Sequence, residues 1–79
     1  MQVGGQVREP GEVTVVEGMT VEDVLKAAGN ATEFGAVKRA ILDRGGKKIT
    51  VDLTTAEGKA MMVQAYDVLE IPEKIFWGQ

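Results

Sequence analysis

The chain has 79 residues and a formal net charge of −3, and it contains no cysteine, histidine or serine. This length suits one small domain that buries roughly 60–65% of its unfolded surface, and the acidic balance disfavours nucleic acid and anionic membranes as partners. The missing residue types exclude a disulfide framework, Ser-His and Cys-His nucleophiles and the usual zinc ligands, so we expect no enzymatic activity, no cofactor and no metal site.

The first 30 residues predict a hairpin that leads into one helix. Two short apolar strands enclose Pro10-Gly11, a dipeptide that marks a turn because proline restricts φ and glycine accepts positive φ. Thr20 is the expected N-cap, with Asp23 as its acidic partner. Gly29 supplies a left-handed stop. One face of the predicted helix, residues 21–28, carries Val21, Val24, Leu25 and Ala28.

A second hairpin follows the helix. Residues 37–43 are rich in apolar side chains and predict a strand, which ends at the glycine-rich turn Arg44-Gly45-Gly46. Apolar and polar side chains then alternate over residues 49–53, which is typical of a half-buried strand. Gly5, inside the first strand, indicates a bend or a close backbone contact there.

The last part of the chain predicts a short helical turn over residues 54–58 and a final strand over residues 68–71. Pro72 ends that strand because it has no N–H to donate. Residues 59–66 show no clear pattern. We expect an α+β fold in which a mixed sheet of about five strands packs on one helix, with the first and last strands as parallel neighbours. The helix face should contact Val7, Val13, Val15, Ile41, Ile49, Val51, Leu53, Leu69 and Ile71.

The order and spacing of these motifs resemble the soluble-ligand-binding β-grasp (SLBB) domain. The hairpin motif consists of Val3, Gly5, Val7, Pro10 and Gly11. The helix motif consists of Gly18, Thr20, Val21, Asp23, Leu25, Ala28 and Gly29. The strand motif near the end consists of Val63, Tyr66, Asp67, Leu69, Ile71 and Pro72. Asn30 replaces a second helix-stop glycine, and Tyr66 stands where the family usually has glycine, so that turn is expected to be built differently.

The resemblance implies a β-grasp (ubiquitin-like) fold and a non-catalytic role. It suggests a binding or assembly module of a cell-envelope polysaccharide export protein, placed in the periplasm, that contacts a soluble ligand such as polysaccharide or neighbouring subunits. Residues 1–79 then form one SLBB-like domain excised from a longer protein. The alternative is a structural insert that positions redox or other domains in a larger cytoplasmic enzyme. No apolar run reaches the ~20 residues of a membrane span, so we expect no membrane insertion by this segment.

Two groups of residues are candidates for ligand or subunit contact. The predicted second hairpin carries five of the nine basic residues, Lys38, Arg39, Arg44, Lys47 and Lys48. From these we select Arg39, Arg44 and Lys48 as a polar rim, against the alternative of an ordinary solvated face. Phe76 and Trp77 are candidate apolar anchors, because aromatic residues are enriched at interfaces. Their alternative role is to fold back over the sheet.

Overall fold

The fold is a five-stranded mixed sheet with one main helix, described here for residues 1–74 of a computed structural model. The strands are β1 (Gln2–Gly5), β2 (Gly11–Glu12), β3 (Ala40–Arg44), β4 (Lys47–Val51) and β5 (Val68–Ile71). Their spatial order is β2-β1-β5-β3-β4. β1 and β5 are parallel, and the other neighbouring strands are antiparallel. The α+β prediction, with parallel first and last strands, is confirmed.

The main helix, α1 (Val21–Ala27), begins and ends as its sequence predicts. The backbone N–H of Asp23 donates to Thr20 Oγ1 at 3.2 Å, and the Thr20 N–H donates to Asp23 Oδ2 at 3.0 Å. This reciprocal capping box satisfies two N–H groups that the first turn leaves unpaired. After the helix, Gly29 and Asn30 have φ values of 79° and 70°. Asn30 therefore adopts the left-handed geometry of the glycine it replaces.

β1 ends in a glycine that no other residue can replace without strain. Gly5 has a φ of 81°, and a Cβ atom added there would collide with the carbonyl oxygen of Ile71. The same carbonyl accepts a 2.7 Å hydrogen bond from the N–H of Gln6. The bend or close backbone contact that the sequence indicated is present, and it joins the end of β1 to the end of β5.

The core lies between α1 and one face of the sheet. Val21 and Val24 of α1 are fully buried, as are Leu42 and Leu69, which face each other on β3 and β5. Ile41 was expected in this core, but side chains alternate along a strand. Ile41 therefore lies on the opposite face of the sheet, in register with Glu70. Leu25 is only partly buried at the margin of the core.

Two predicted strands have different bounds in the structure. Val37–Arg39, expected to begin a strand, form a 3₁₀ turn in which the N–H of Arg39 donates to the carbonyl of Ala36 at 3.0 Å. The strand expected over 49–53 is β4, which ends at Val51. Asp52 ends it because its carboxylate accepts a hydrogen bond from the Thr54 N–H, which turns the chain.

A short second helix follows that turn. This helix, α2 (Ala56–Lys59), is capped by Thr55, whose hydroxyl accepts a 3.0 Å hydrogen bond from the N–H of Gly58. The prediction of a helical turn is confirmed, with its cap one residue later than Thr54. β5 begins at Val68 and ends at Ile71, the bounds that the sequence predicts.

Candidate functional site

The basic residues of the β3–β4 hairpin lie at its two ends rather than in one patch. Arg39 lies before β3, where its Nη2 donates to the carbonyl of Glu73 at 3.4 Å. Arg44 and Lys48 lie near the turn, and Lys48 is in register with Asp43. Because a strand rises about 3.3 Å per residue, Arg39 is separated from Arg44 by roughly 17 Å of backbone. The structure therefore does not bring together the three cations of the expected polar rim.

Arg44 makes a two-point ion pair, and its partner, Asp67, lies within the same chain. Its Nε donates to Asp67 Oδ1 at 3.0 Å, and its Nη2 donates to Asp67 Oδ2 at 2.8 Å. The same Nη2 donates to the carbonyl of Met62 at 3.1 Å. A guanidinium fork that meets a carboxylate in this way is among the strong charge-assisted hydrogen bonds of proteins. Arg44 thus fastens the segment before β5 to the second hairpin.

Asp67 is the buried partner in this ion pair, with 2% of its surface exposed against 31% for the Arg44 side chain. The hydrogen bonds from Arg44 hold the pKa of the Asp67 carboxyl below its ordinary value, and the Gln64 N–H, which donates to Oδ2 at 2.8 Å, acts in the same direction. Burial opposes this effect. The same pairing raises the pKa of Arg44. At neutral pH both groups are charged.

The role of Asp67 was missed by sequence reasoning, which treated it only as part of the strand motif. The signal available in the sequence was the position of Asp67. It directly precedes the predicted strand over residues 68–71 and directly follows Tyr66, which stands where the family usually has glycine. In the turn before β5, the Asp67 carboxylate accepts from the Gln64 N–H, while the Asp67 N–H donates to the Gln64 carbonyl at 3.0 Å. Tyr66 occupies the family's glycine position without positive φ, and its side chain is 96% exposed.

Within residues 1–74, the sheet face opposite α1 is open and carries two shallow depressions. One, of about 200 Å³, is lined by Ile41, Asp43, Lys48, Val68 and Glu70. A neighbouring depression of about 180 Å³ shares Val68 and includes Gln2, Glu12 and Tyr66 in its lining. These groups offer hydrogen bonds, charge and one aromatic face. The depressions are suited to weak surface contacts rather than to enclosure of a small molecule.

Two expected contact residues, Phe76 and Trp77, lie outside the described residues. Within residues 1–74, no three aspartate or glutamate side chains converge in a way that would hold a metal ion. Over the same residues, no helix has the length and apolar character needed to cross a bilayer.

Comparison with known proteins identifies the family. The family model described as "SLBB domain" matches residues 1–52, which is about two thirds of the chain. The chain belongs to the SLBB domain family, and the resemblance found in its sequence motifs is confirmed. SLBB is a binding domain rather than a catalytic one, which fits the open, shallow surface described above. A comparison with curated proteins found no match.

Proposed function

We propose that this chain is the non-catalytic binding and assembly module of a cell-envelope polysaccharide export protein. The observation that carries the proposal is membership of the SLBB family over residues 1–52. In this role residues 1–79 form one domain of a longer periplasmic protein and contact polysaccharide, another soluble ligand or neighbouring subunits. The open sheet face supports a surface-contact role, because its depressions are shallow and carry polar groups.

The proposed contact residues differ in their exposure and in their partners within the chain. Arg39 and Lys48 are exposed and remain candidates for the polar rim, and Phe76 and Trp77 remain candidates for apolar anchors. Arg44 contributes differently, since its guanidinium holds Asp67 and the carbonyl of Met62. Reversal of its charge would disturb folding as well as contact, so a test of function should leave it unchanged.

The proposal is tested in the organism that carries the gene. Deletion of the coding segment for residues 1–79 should abolish surface polysaccharide while polymer accumulates inside the cell. The variant Arg39→Glu with Lys48→Glu should lower export, whereas Lys26→Glu, a charge reversal on α1, should leave it unchanged. Normal surface polysaccharide after the deletion would refute the proposal. Loss of a cytoplasmic redox activity instead would favour the structural insert.

A further inference from the structure

The open sheet face, opposite α1, is formed by the residues that alternate with the core positions of each strand. Gln2 of β1 is in register with Glu12 of β2 and with Val68 of β5. Val68 is in turn in register with Asp43 of β3. The larger and the smaller depression both include Val68 in their lining, so they form one continuous surface. A ligand on this surface would contact several strands at once.

Tyr66 supplies an aromatic ring at one margin of the open face. Its side chain is almost fully exposed and lines the smaller depression together with Gln2 and Glu12. An exposed ring buries its apolar area only when something covers it, and the negative face of the ring attracts cations and C–H groups of partial positive charge. Sugar rings offer C–H groups of this kind. Tyr66 is therefore suited to stacking against a saccharide.

Two carboxylates on the open face have no partner among residues 1–74. Asp43 faces Lys48 across β3 and β4, so their charges offset each other. By contrast, the exposed side chains of Glu12 and Glu70 make no ion pair and no hydrogen bond within the described part of the chain. The Met1 ammonium, which lies at the smaller depression, offsets at most one of these two charges. The part of the face formed by β2, β1 and β5 is therefore acidic.

The Glu70 carboxylate is accessible from the side of β1. Glu70 is in register with Gly4, which has no side chain to cover it. A Cβ atom added at Gly5 would lie 2.9 Å from Glu70 Oε2, so the carboxylate extends over these glycines. Glu70 lies roughly 7 Å from Val68 along β5, and Glu12 lies roughly 10 Å from Val68 across the sheet. The two charges thus flank an apolar centre within the length of a short oligosaccharide.

We propose that the open face binds an amine-bearing saccharide, with one sugar ring stacked on Tyr66 and the ammonium groups of the saccharide paired with Glu12 and Glu70. The inference rests on the proposed export function and names the chemical class of its ligand. Each ammonium group would form a charge-assisted hydrogen bond with a carboxylate, whereas a chain of uronic acids would meet like charge. The Gln2 amide both donates and accepts, as sugar hydroxyls require.

Binding of a short saccharide to a single domain should be weak. The depressions are shallow and do not enclose a sugar ring. Exposed ion pairs contribute little individually, and salt screens them. We therefore expect a Kd of roughly 1 mM for an oligosaccharide of a few rings, with weaker binding at high salt.

The test titrates the isotope-labelled 79-residue chain with three hexasaccharides of different charge, followed by amide NMR at about pH 6, where the carboxylates are ionised. The glucosamine hexamer is cationic, the N-acetylglucosamine hexamer is neutral and the galacturonic acid hexamer is anionic. The cationic hexamer should bind at least about tenfold more tightly than the anionic one, with the neutral one between them. The shifts should concentrate at Gln2, Glu12, Tyr66, Val68 and Glu70.

Matched variants separate the contribution of stacking from that of charge. Tyr66→Ala should weaken binding of the cationic hexamer about tenfold, whereas Tyr66→Phe keeps the ring and should bind like wild type. Glu12→Gln with Glu70→Gln should remove the preference for the cationic hexamer over the neutral one. Val16→Ala changes an exposed apolar residue outside both depressions and should leave binding unchanged. Circular dichroism checks that every variant folds.

The inference is overturned if the cationic hexamer causes no shifts on the open face at concentrations up to about 10 mM, if the anionic hexamer binds as tightly, or if Tyr66→Ala binds like wild type. Equal binding of a lysine hexamer would also overturn it, because charge alone would then explain the contact. Those results would leave the export role standing, since export is measured in the cell. Loss of the export role, with saccharide binding intact, would instead leave a saccharide-binding module of another protein.

Discussion

Asp67 combines burial, charge and loop geometry in a single side chain. Asp67→Asn would leave Arg44 with a neutral partner and weaken the turn closed by Gln64. Breaking a buried pair costs about 3–5 kcal/mol, and because Arg44 is partly exposed we expect a loss of about 2–3 kcal/mol in the free energy of unfolding at pH 7. Urea denaturation measures it, with Glu57→Gln as an exposed control. A loss below about 0.5 kcal/mol would contradict the role assigned to the pair.

The same ion pair predicts how stability depends on pH. Arg44 lowers the pKa of Asp67 in the folded chain, whereas the unfolded carboxyl has an ordinary pKa of about 3.9. The unfolded chain therefore binds the proton first, and the stability from this pair is complete above that value and declines as the pH falls through the folded pKa.

Wild type should accordingly lose more unfolding free energy than Asp67→Asn between about pH 5 and pH 2.5. Asp23 and Asp52, whose pKa values are also lowered, are present in both proteins. Their contributions cancel in the comparison. Parallel losses in the two proteins would mean that the Asp67 carboxyl does not contribute to acid sensitivity.

Alanine substitutions at two glycines with positive φ distinguish the cost of backbone strain from the cost of a steric collision. Gly45 has a φ of 62° with open space around it, so Gly45→Ala should cost only about 1 kcal/mol. Gly5→Ala adds a collision with the carbonyl of Ile71 at a site where two strands meet. We expect it to cost at least about 3 kcal/mol, within the range of severe single substitutions. Equal thermal or urea midpoints for the two variants would refute the close contact.

At the scale of elements, the neighbouring residues Ile41 and Leu42 of β3 lie on opposite faces of the sheet. Leu42→Ala removes a fully buried side chain that faces Leu69 and should cost about 2–5 kcal/mol. Ile41→Ala, on the open face, should cost about 1 kcal/mol or less. Leu25→Ala should fall between them, because Leu25 lies at the margin of the core. Denaturant midpoints rank the three, and a larger loss for Ile41 would reverse the assignment of faces.

Elements with local chemical signals were predictable from sequence. The capping box at Thr20, the glycine turn after Arg44 and the proline after β5 each act through the adjacent backbone, and all three lie where expected. The bounds of β4 were less predictable, because alternation continues past Val51 and does not reveal that Asp52 turns the chain.

The candidate site was predicted less well than the fold, for a physical reason. A basic residue has the same sequence signal whether it faces solvent or a buried carboxylate 23 positions away, as Arg44 does. Long-range pairing decides between those roles. Similarly, Ile41 and Leu42 are equivalent in apolar character, and only the register with β5 determines which one enters the core.

At the scale of the whole molecule, β5 joins the two halves of the sheet. It lies between β1 and β3, yet it falls outside the 1–52 segment that matches the family model. A fragment of residues 1–52 would retain two strand pairs with nothing between them, and an isolated pair is marginal at best. We expect this fragment to be unfolded by circular dichroism and to lack amide NMR dispersion. A dispersed spectrum, comparable with that of the whole chain, would show that β5 is dispensable.

The parallel pairing of β1 with β5 also determines how the domain responds to mechanical force. β1 begins at Gln2 and β5 ends at Ile71, so tension applied at the two ends pulls these neighbouring strands in opposite directions along their length. Their hydrogen bonds are then loaded together in shear, whereas the β3–β4 hairpin would open one pair at a time if pulled from its open end. Tension transmitted along a polypeptide that contains this domain would therefore act first on the β1–β5 pair, the part of the domain that resists it most.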